Sequence, residues 1–269
     1  MFGEVRKDSL LKNVKTPRVI FVGDSNVSFG LNGQIIKDSL GIYPINTTIH
    51  FSIGLQYMFK HTLPYIKSGD VVILPLIYGF YLDTYDKTSE ELFRMVMDVD
   101  KNNLKYLNKE QILHLIPYIP KYALTKFDPF EYVGFINNKW YEVTSFNEFG
   151  DVTAHWNEGN QYVAPMPPMS GSINPAVING IKEFEQEVVK KGGSVFLSYP
   201  CPQDATFRNS VDIINAIQQA LEANFNVLGT PQRYIMPDSL LFNAPYHLNK
   251  KGADRRTKLL IEDWKLVKR

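Results

Sequence analysis

Two residues far apart in the chain have the chemistry of a nucleophile and its base. Ser25 stands in Gly23-Asp24-Ser25-Asn26, directly after the apolar run RVIFVG at 18–23, and His247 stands in PDSLLFNAPYHLNKKGADRRT, ahead of the last helical stretch. A free serine hydroxyl is a poor nucleophile, and histidine is the side chain whose proton affinity suits it to take that proton near neutral pH. A turn that ends a buried strand and opens a helix would lift the Ser25 hydroxyl to the sheet edge. Backbone N–H groups of the turn would point at the same space, ready to hold an oxyanion. The plain alternative is that Asp24 or Ser25 only caps the helix and that His247 is a structural loop histidine.

Such a pair needs a scaffold that brings residue 25 to residue 247, and the hydrophobic pattern supplies one. RVIFVG (18–23), the stretch 42–49 and DVVILPL (70–76) read as buried strands, with helices over 31–40 and 55–66 between them. Val177, Ile178, Ile181, Phe184 and Val188 fall at helical spacing, Gly192 and Gly193 stop that helix, and SVFLSYP (194–200) is a further strand. Val211, Ile214, Ile217 and Leu221 give another helix, NVLGT (226–230) a last strand, and Leu260, Trp264 and Val267 a closing helix. This alternation predicts one α/β domain over 1–269, with a central parallel sheet and helices on both faces. Between about 81 and 172 the alternation stops, and aromatics, Asn and Pro dominate. That stretch is expected to be an insertion, acting as a lid or substrate-recognition element over the strand C-termini, or else packing and oligomer contact.

Bulk composition excludes several classes. With 269 residues, 44% of them hydrophobic, the chain can bury a full core. Lys plus Arg number 29 against 28 acidic residues, a net charge of +1, so no global field gathers nucleic acid or an anionic membrane surface. The single cysteine, Cys201, allows neither an intrachain disulfide nor a cysteine zinc cluster and reads as a small buried hydrophobe. No apolar run is long enough to span a bilayer, and the first residues lack the apolar stretch of a signal peptide. The default expectation is a soluble, cytoplasmic protein, exported or anchored only if a further N-terminal segment exists. His50, His61 and His114 show no ligand spacing, and no glycine pattern cradles phosphates, so neither a metal nor a nucleotide cofactor is expected.

GDSN after the first strand and YHLN-x-x-G before the last helix resemble the first and last blocks of the SGNH (GDSL-like) hydrolase superfamily. The resemblance runs from about residue 18 to 264, less the insertion, and is specific at its two ends. GDSNVSFGLN, IHFSIGLQYMF, SFNEFGDVTAHWN and YHLNKKG also look like a bacterial subgroup found with cell-surface polysaccharide genes. It implies a flavodoxin-like α/β/α fold and an esterase, deacetylase or O-acyltransferase, often acting on carbohydrate. Carried over, Ser25 is the nucleophile and gives its own N–H to the oxyanion hole, and Gly54 in FSIGLQ adds a second N–H. The chain departs from the pattern twice. The GxND whose Asn completes the hole is replaced by LPLIYGFY, leaving Tyr78 and Gln56 as substitutes, and one oxyanion donor is worth about 10²- to 10³-fold in rate. The Asp three residues before the histidine is Ala244 here, so Asp238, favoured slightly, or Asn243 is expected to orient His247. Asn26 and His155 are further pocket candidates.

The resulting expectation is a serine esterase that acts on an O-acyl, chiefly O-acetyl, ester of a small molecule or carbohydrate through an acyl-enzyme on Ser25. An O-acyltransferase shares every step but the acceptor. A non-catalytic carbohydrate-binding or scaffold protein is the alternative that the two departures suggest.

Overall fold

The computed structural model describes residues 3–128, 140 and 142–267. Five short runs rich in β-branched and aromatic residues form its sheet: β1 (Arg18–Phe21), β2 (Tyr43–Asn46), β3 (Val71–Leu74), β4 (Ser194–Ser198) and β5 (Val227–Leu228). All neighbours are parallel, in the order β2-β1-β3-β4-β5. This is the doubly wound order of flavodoxin-like folds, in which chemistry gathers at the carboxyl ends of the strands.

Successive residues of β1 face opposite sides, and the two cores follow from that alternation. Val19 and Phe21 pack with Ile36 of α3 (Gly33–Leu40) and with Leu260, Ile261 and Trp264 of α11 (Lys250–Val267). Ile20 and Val22 face the other core, which holds α4 (Leu55–Thr62), α8 (Pro175–Lys190), α9 (Asp204–Arg208) and α10 (Val211–Glu222). Helices on both faces of a parallel sheet give the three-layer α/β/α architecture. The strands are shorter than the apolar runs that announced them, because residues past each strand's end leave the ladder to form the loops at the sheet edge.

One helix escaped the sequence reading. Gly3–Asn13 forms α1, where only a preamble was expected. Its sequence, GEVRKDSLLKN, has no apolar period, and it buries Glu4, Lys7 and Leu11. Polar contacts anchor it: Lys7 donates to the carbonyls of Thr48 and Gly150, and the fully buried Arg18 donates to the Leu11 carbonyl at 2.7 Å. Arg18 also grips Asp70 with two bonds of 2.8 Å, fastening the start of β1 to the start of β3.

The expected insertion divides into two structurally different parts. Its first half carries short helices, α5 (Glu90–Arg94), α6 (Lys109–Leu115) and α7 (Ile119–Thr125). Its later part, FNEFGDV at 146–152, braces the sheet edge from inside the fold. The Asn46 N–H at the end of β2 donates to the Phe149 carbonyl (2.8 Å), and the Val152 N–H donates to the Ser28 carbonyl (2.9 Å).

Candidate active site

Past β1 the chain turns through Gly23 and Asp24 into the one-turn helix α2 (Ser25–Ser28). Asp24 caps it as the plain reading expected: its carboxylate accepts from the Asn26 N–H and from Asn26 Nδ2, each at 2.9 Å. The Ile77 N–H, just past β3, approaches the same carboxylate at 3.3 Å. Burial raises the Asp24 pKa; the bonds from Asn26 and Ile77 and the nearby Arg256 charge oppose that rise. Capping and presentation of a nucleophile are therefore not alternatives here, because Asp24 does the first and leaves Ser25 free for the second.

Asn26 belongs to this lock and not to the pocket. It is fully buried, its Nδ2 also donates to the Pro75 carbonyl (3.0 Å), and its own carbonyl accepts from Arg256 Nη1 (2.7 Å). Below the turn, Asp151 accepts from the Gly33 N–H (2.7 Å), Asn46 Nδ2 (2.9 Å) and Asn147 Nδ2 (3.1 Å). Burial raises the Asp151 pKa and those donors offset it.

His247 arrives from the opposite end of the chain on a tight loop. Leu241 and Leu248 form an antiparallel bridge, and inside it the His247 N–H donates to the Ala244 carbonyl at 3.0 Å. The loop runs directly into α11, whose Arg256 holds Asn26 and whose Thr257 Oγ1 accepts from the Asn32 N–H (2.9 Å). One helix thus registers the histidine loop against the serine turn.

His247 Nε2 lies 2.9 Å from Ser25 Oγ, and His247 Nδ1 lies 2.8 Å from Asn243 Oδ1. An amide oxygen only accepts, so Nδ1 carries the proton and Nε2 presents its lone pair to the serine hydroxyl. The ring stacks on Phe29, with centroids 4.3 Å apart and planes 7° from parallel. Burial pushes the His247 pKa down to about 3, and His155 and His50 add like-charge repulsion. The imidazole is a neutral base throughout the physiological range.

Of the two expected orienters, Asn243 makes the contact and Asp238 does not. Asp238 sits on an exposed turn, and its carboxylate accepts from Gln203 Nε2 at 2.9 Å. The physical reason is loop length: the 241–248 bridge closes tightly enough for Asn243 to fold back onto His247, with no need for a longer excursion. Gly54 is also displaced from its expected role, because its N–H closes a turn onto the Phe51 carbonyl at 3.2 Å. Glycine is required there for other reasons, a φ of +83° and a Lys87 carbonyl 2.8 Å from where a Cβ would stand. The Ser25 N–H, first in its helix, has no intrahelical acceptor. Gln56 is tied to the Tyr106 carbonyl. Tyr78 is fully buried beside Tyr81, Tyr199, Tyr246 and Cys201, and its hydroxyl has no hydrogen-bond partner among the described residues. His155 takes the structural role, with Nε2 2.8 Å from the Leu248 carbonyl and its ring against Phe29 and Phe242.

Sequence reasoning also missed a buried group away from this site. Glu4, Asp8 and His61 bring ligand atoms within 4.8 Å of one another. Glu4 and Asp8 are four apart on α1 and so share a face, which was the available signal. The arrangement has metal-like spacing. The buried Lys7 lines the same cavity, and the Asp8 and Glu4 carboxylates outweigh burial to raise the His61 pKa. Burial pushes the Glu4 carboxyl up to about 7 and the Lys7 ammonium down to about 7, and the group ties α1 to α4.

The fold and this geometry define a three-layer α/β protein with a hydrogen-bonded Ser25–His247–Asn243 array at the carboxyl edge of its parallel sheet. No family model matches the chain, and no curated protein matches it.

Proposed function

We propose that the chain is an SGNH-type serine esterase acting on an O-acyl ester, with O-acetylated carbohydrate as the substrate class. The observation that carries this reading is the Ser25 Oγ–His247 Nε2 contact of 2.9 Å, made by a histidine whose other nitrogen is held at 2.8 Å by Asn243. Ser25 attacks the acyl carbonyl while His247 takes its proton. The Ser25 N–H stabilises the oxyanion, and His247 returns the proton to the departing alcohol. Water, or an acceptor sugar hydroxyl in the transferase version, then resolves the acyl-enzyme by the same steps in reverse.

Asn243 fixes the tautomer of His247 but brings no charge to the imidazolium that forms during attack. Turnover is therefore expected below that of an Asp-containing triad. One observation favours a second, non-catalytic reading as a carbohydrate-binding or scaffold protein: the Gly54 N–H is already spent, so the oxyanion site has one backbone donor fewer. Hydrolysis of a small activated acetyl ester separates the two. The esterase reading expects turnover that Ser25→Ala abolishes in a folded protein, and turnover equal in wild type and Ser25→Ala would refute it.

A further inference from the structure

Half of the large hydrophobic side chains exposed among the described residues lie between Leu104 and Phe127, a small fraction of the chain. Ile112, Leu113, Ile116, Ile119, Leu124 and Phe127 line the outer side of α6 and α7, with Leu113 62%, Leu124 71% and Phe127 83% exposed. These are properly built helices and not a loose end. Asn108 and Gln111 form a reciprocal capping box at the start of α6, with bonds of 2.7 and 3.0 Å. The inner side is packed, with Leu115 buried and Phe93 meeting Tyr122 edge to face at 5.1 Å. Between the two helices runs a groove lined by Val96, Leu104, Ile116 and Ile119 among other apolar side chains. Exposed apolar side chains gathered about one groove mark an interaction site.

Charge selects the occupant. Residues 101–127 contain five lysines and a single acid, Glu110, with Asp100 and Asp128 at the borders, within a chain whose net charge is only +1. Lys121 and Lys126 are paired with Glu90 and Asp98, whereas Lys101, Lys105 and Lys109 are exposed and make no ion pair among the described residues. A second copy docking through the same patch would set like charges against each other across a two-fold axis. Apolar side chains flanked by lysines suit a surface that is apolar in depth and anionic at its rim. We infer that the α6–α7 face docks on the surface of an anionic lipid bilayer, with Leu113, Ile116 and Leu124 entering the headgroup–acyl boundary and Lys101, Lys105 and Lys109 facing the lipid headgroups. No helix among the described residues is long and apolar enough to cross a membrane, so the association is peripheral.

The test is sedimentation of the full chain with vesicles of phosphatidylcholine alone or phosphatidylcholine mixed with phosphatidylglycerol, alongside its oligomeric state by light scattering. Binding to the anionic vesicles that weakens with salt is expected. Leu113→Ser/Ile116→Ser/Leu124→Ser and Lys101→Glu/Lys105→Glu/Lys109→Glu should each lower it by about tenfold or more while retaining the wild-type circular dichroism. These positions lie outside the Ser25 site, so ester turnover in solution should be unchanged. Equal partition with and without anionic lipid, or a dimer that the serine variant dissociates, would overturn the inference.

Discussion

The serine turn and the histidine loop are held in place by opposite means. Around Ser25 the fixing is polar and buried: Asp24 collects donors from Asn26 and Ile77, Arg256 holds the Asn26 carbonyl, and Asp151 collects three more donors below. Around His247 the fixing is largely apolar, with Phe29 stacked on the ring and Phe242, His155 and Trp140 packed behind it. A single neutral hydrogen bond from Nδ1 completes it. The difference teaches where charge is permitted. Carboxylates sit behind Ser25, where hydrogen-bond donors surround them, and among the described residues none touches the His247 ring, whose proton affinity burial is left to lower.

The largest effects should come from breaking the contact between the two regions. Ser25→Ala and His247→Ala should each reduce ester turnover by several orders of magnitude, and the double variant should be no worse than either, since the pair acts as one unit. Steady-state kinetics on the three proteins check this, and independent, multiplying losses would show that the residues do not share a step.

Next is the neutral character of the histidine side. Asn243→Ala frees the ring and should cost about 10²-fold in kcat. Asn243→Asp places an anion beside Nδ1, raises the His247 pKa and should speed attack. With the wild-type pKa near 3, kcat/KM should stay flat as pH falls from 8 to about 5, whereas the Asp variant should show an acid limb at higher pH. Stability follows the same group. The folded pKa lies below the ordinary value of 6.5, so the neutral-ring contribution is complete above that value and is lost as pH falls from 6.5 toward about 3. Urea unfolding across that window measures it, and the slope should shrink in His247→Gln.

On the serine side the polar lock should report in stability. Asp151→Ala strands three donors, two of them buried, and should cost about 3 kcal/mol by urea unfolding. The smallest effect is expected at the residue the sequence favoured. Asp238→Asn should leave turnover near wild type, because its carboxylate serves Gln203 on an exposed turn, and a loss approaching 10⁴-fold would restore it as the orienter.

What could be read in advance follows the same division. The five strands, the sheet-flanking helices and the meeting of Ser25 with His247 were legible, since buried parallel strands and amphipathic helices write themselves as local patterns and GDSN lies at a strand end. The position of Asn243 was not, because choosing between it and Asp238 requires knowing how tightly residues 241–248 close. Nothing in the sequence marked Phe29 as the ring on which His247 stacks. α1 was hidden because polar residues anchor it, and FNEFGDV resembled a surface insertion because its role is read in bonds to residues 28, 33 and 46.

Covalent labelling tests the central claim most directly, because it requires an activated serine and no knowledge of the substrate. Intact-protein mass spectrometry after incubation with a fluorophosphonate should show one adduct on wild type, located at Ser25. The adduct should be absent from Ser25→Ala, strongly slowed in His247→Ala and formed at the wild-type rate in Asp238→Asn. A folded wild-type protein that takes no label, or a Ser25 that labels equally fast without His247, would contradict a nucleophile activated across the 2.9 Å contact.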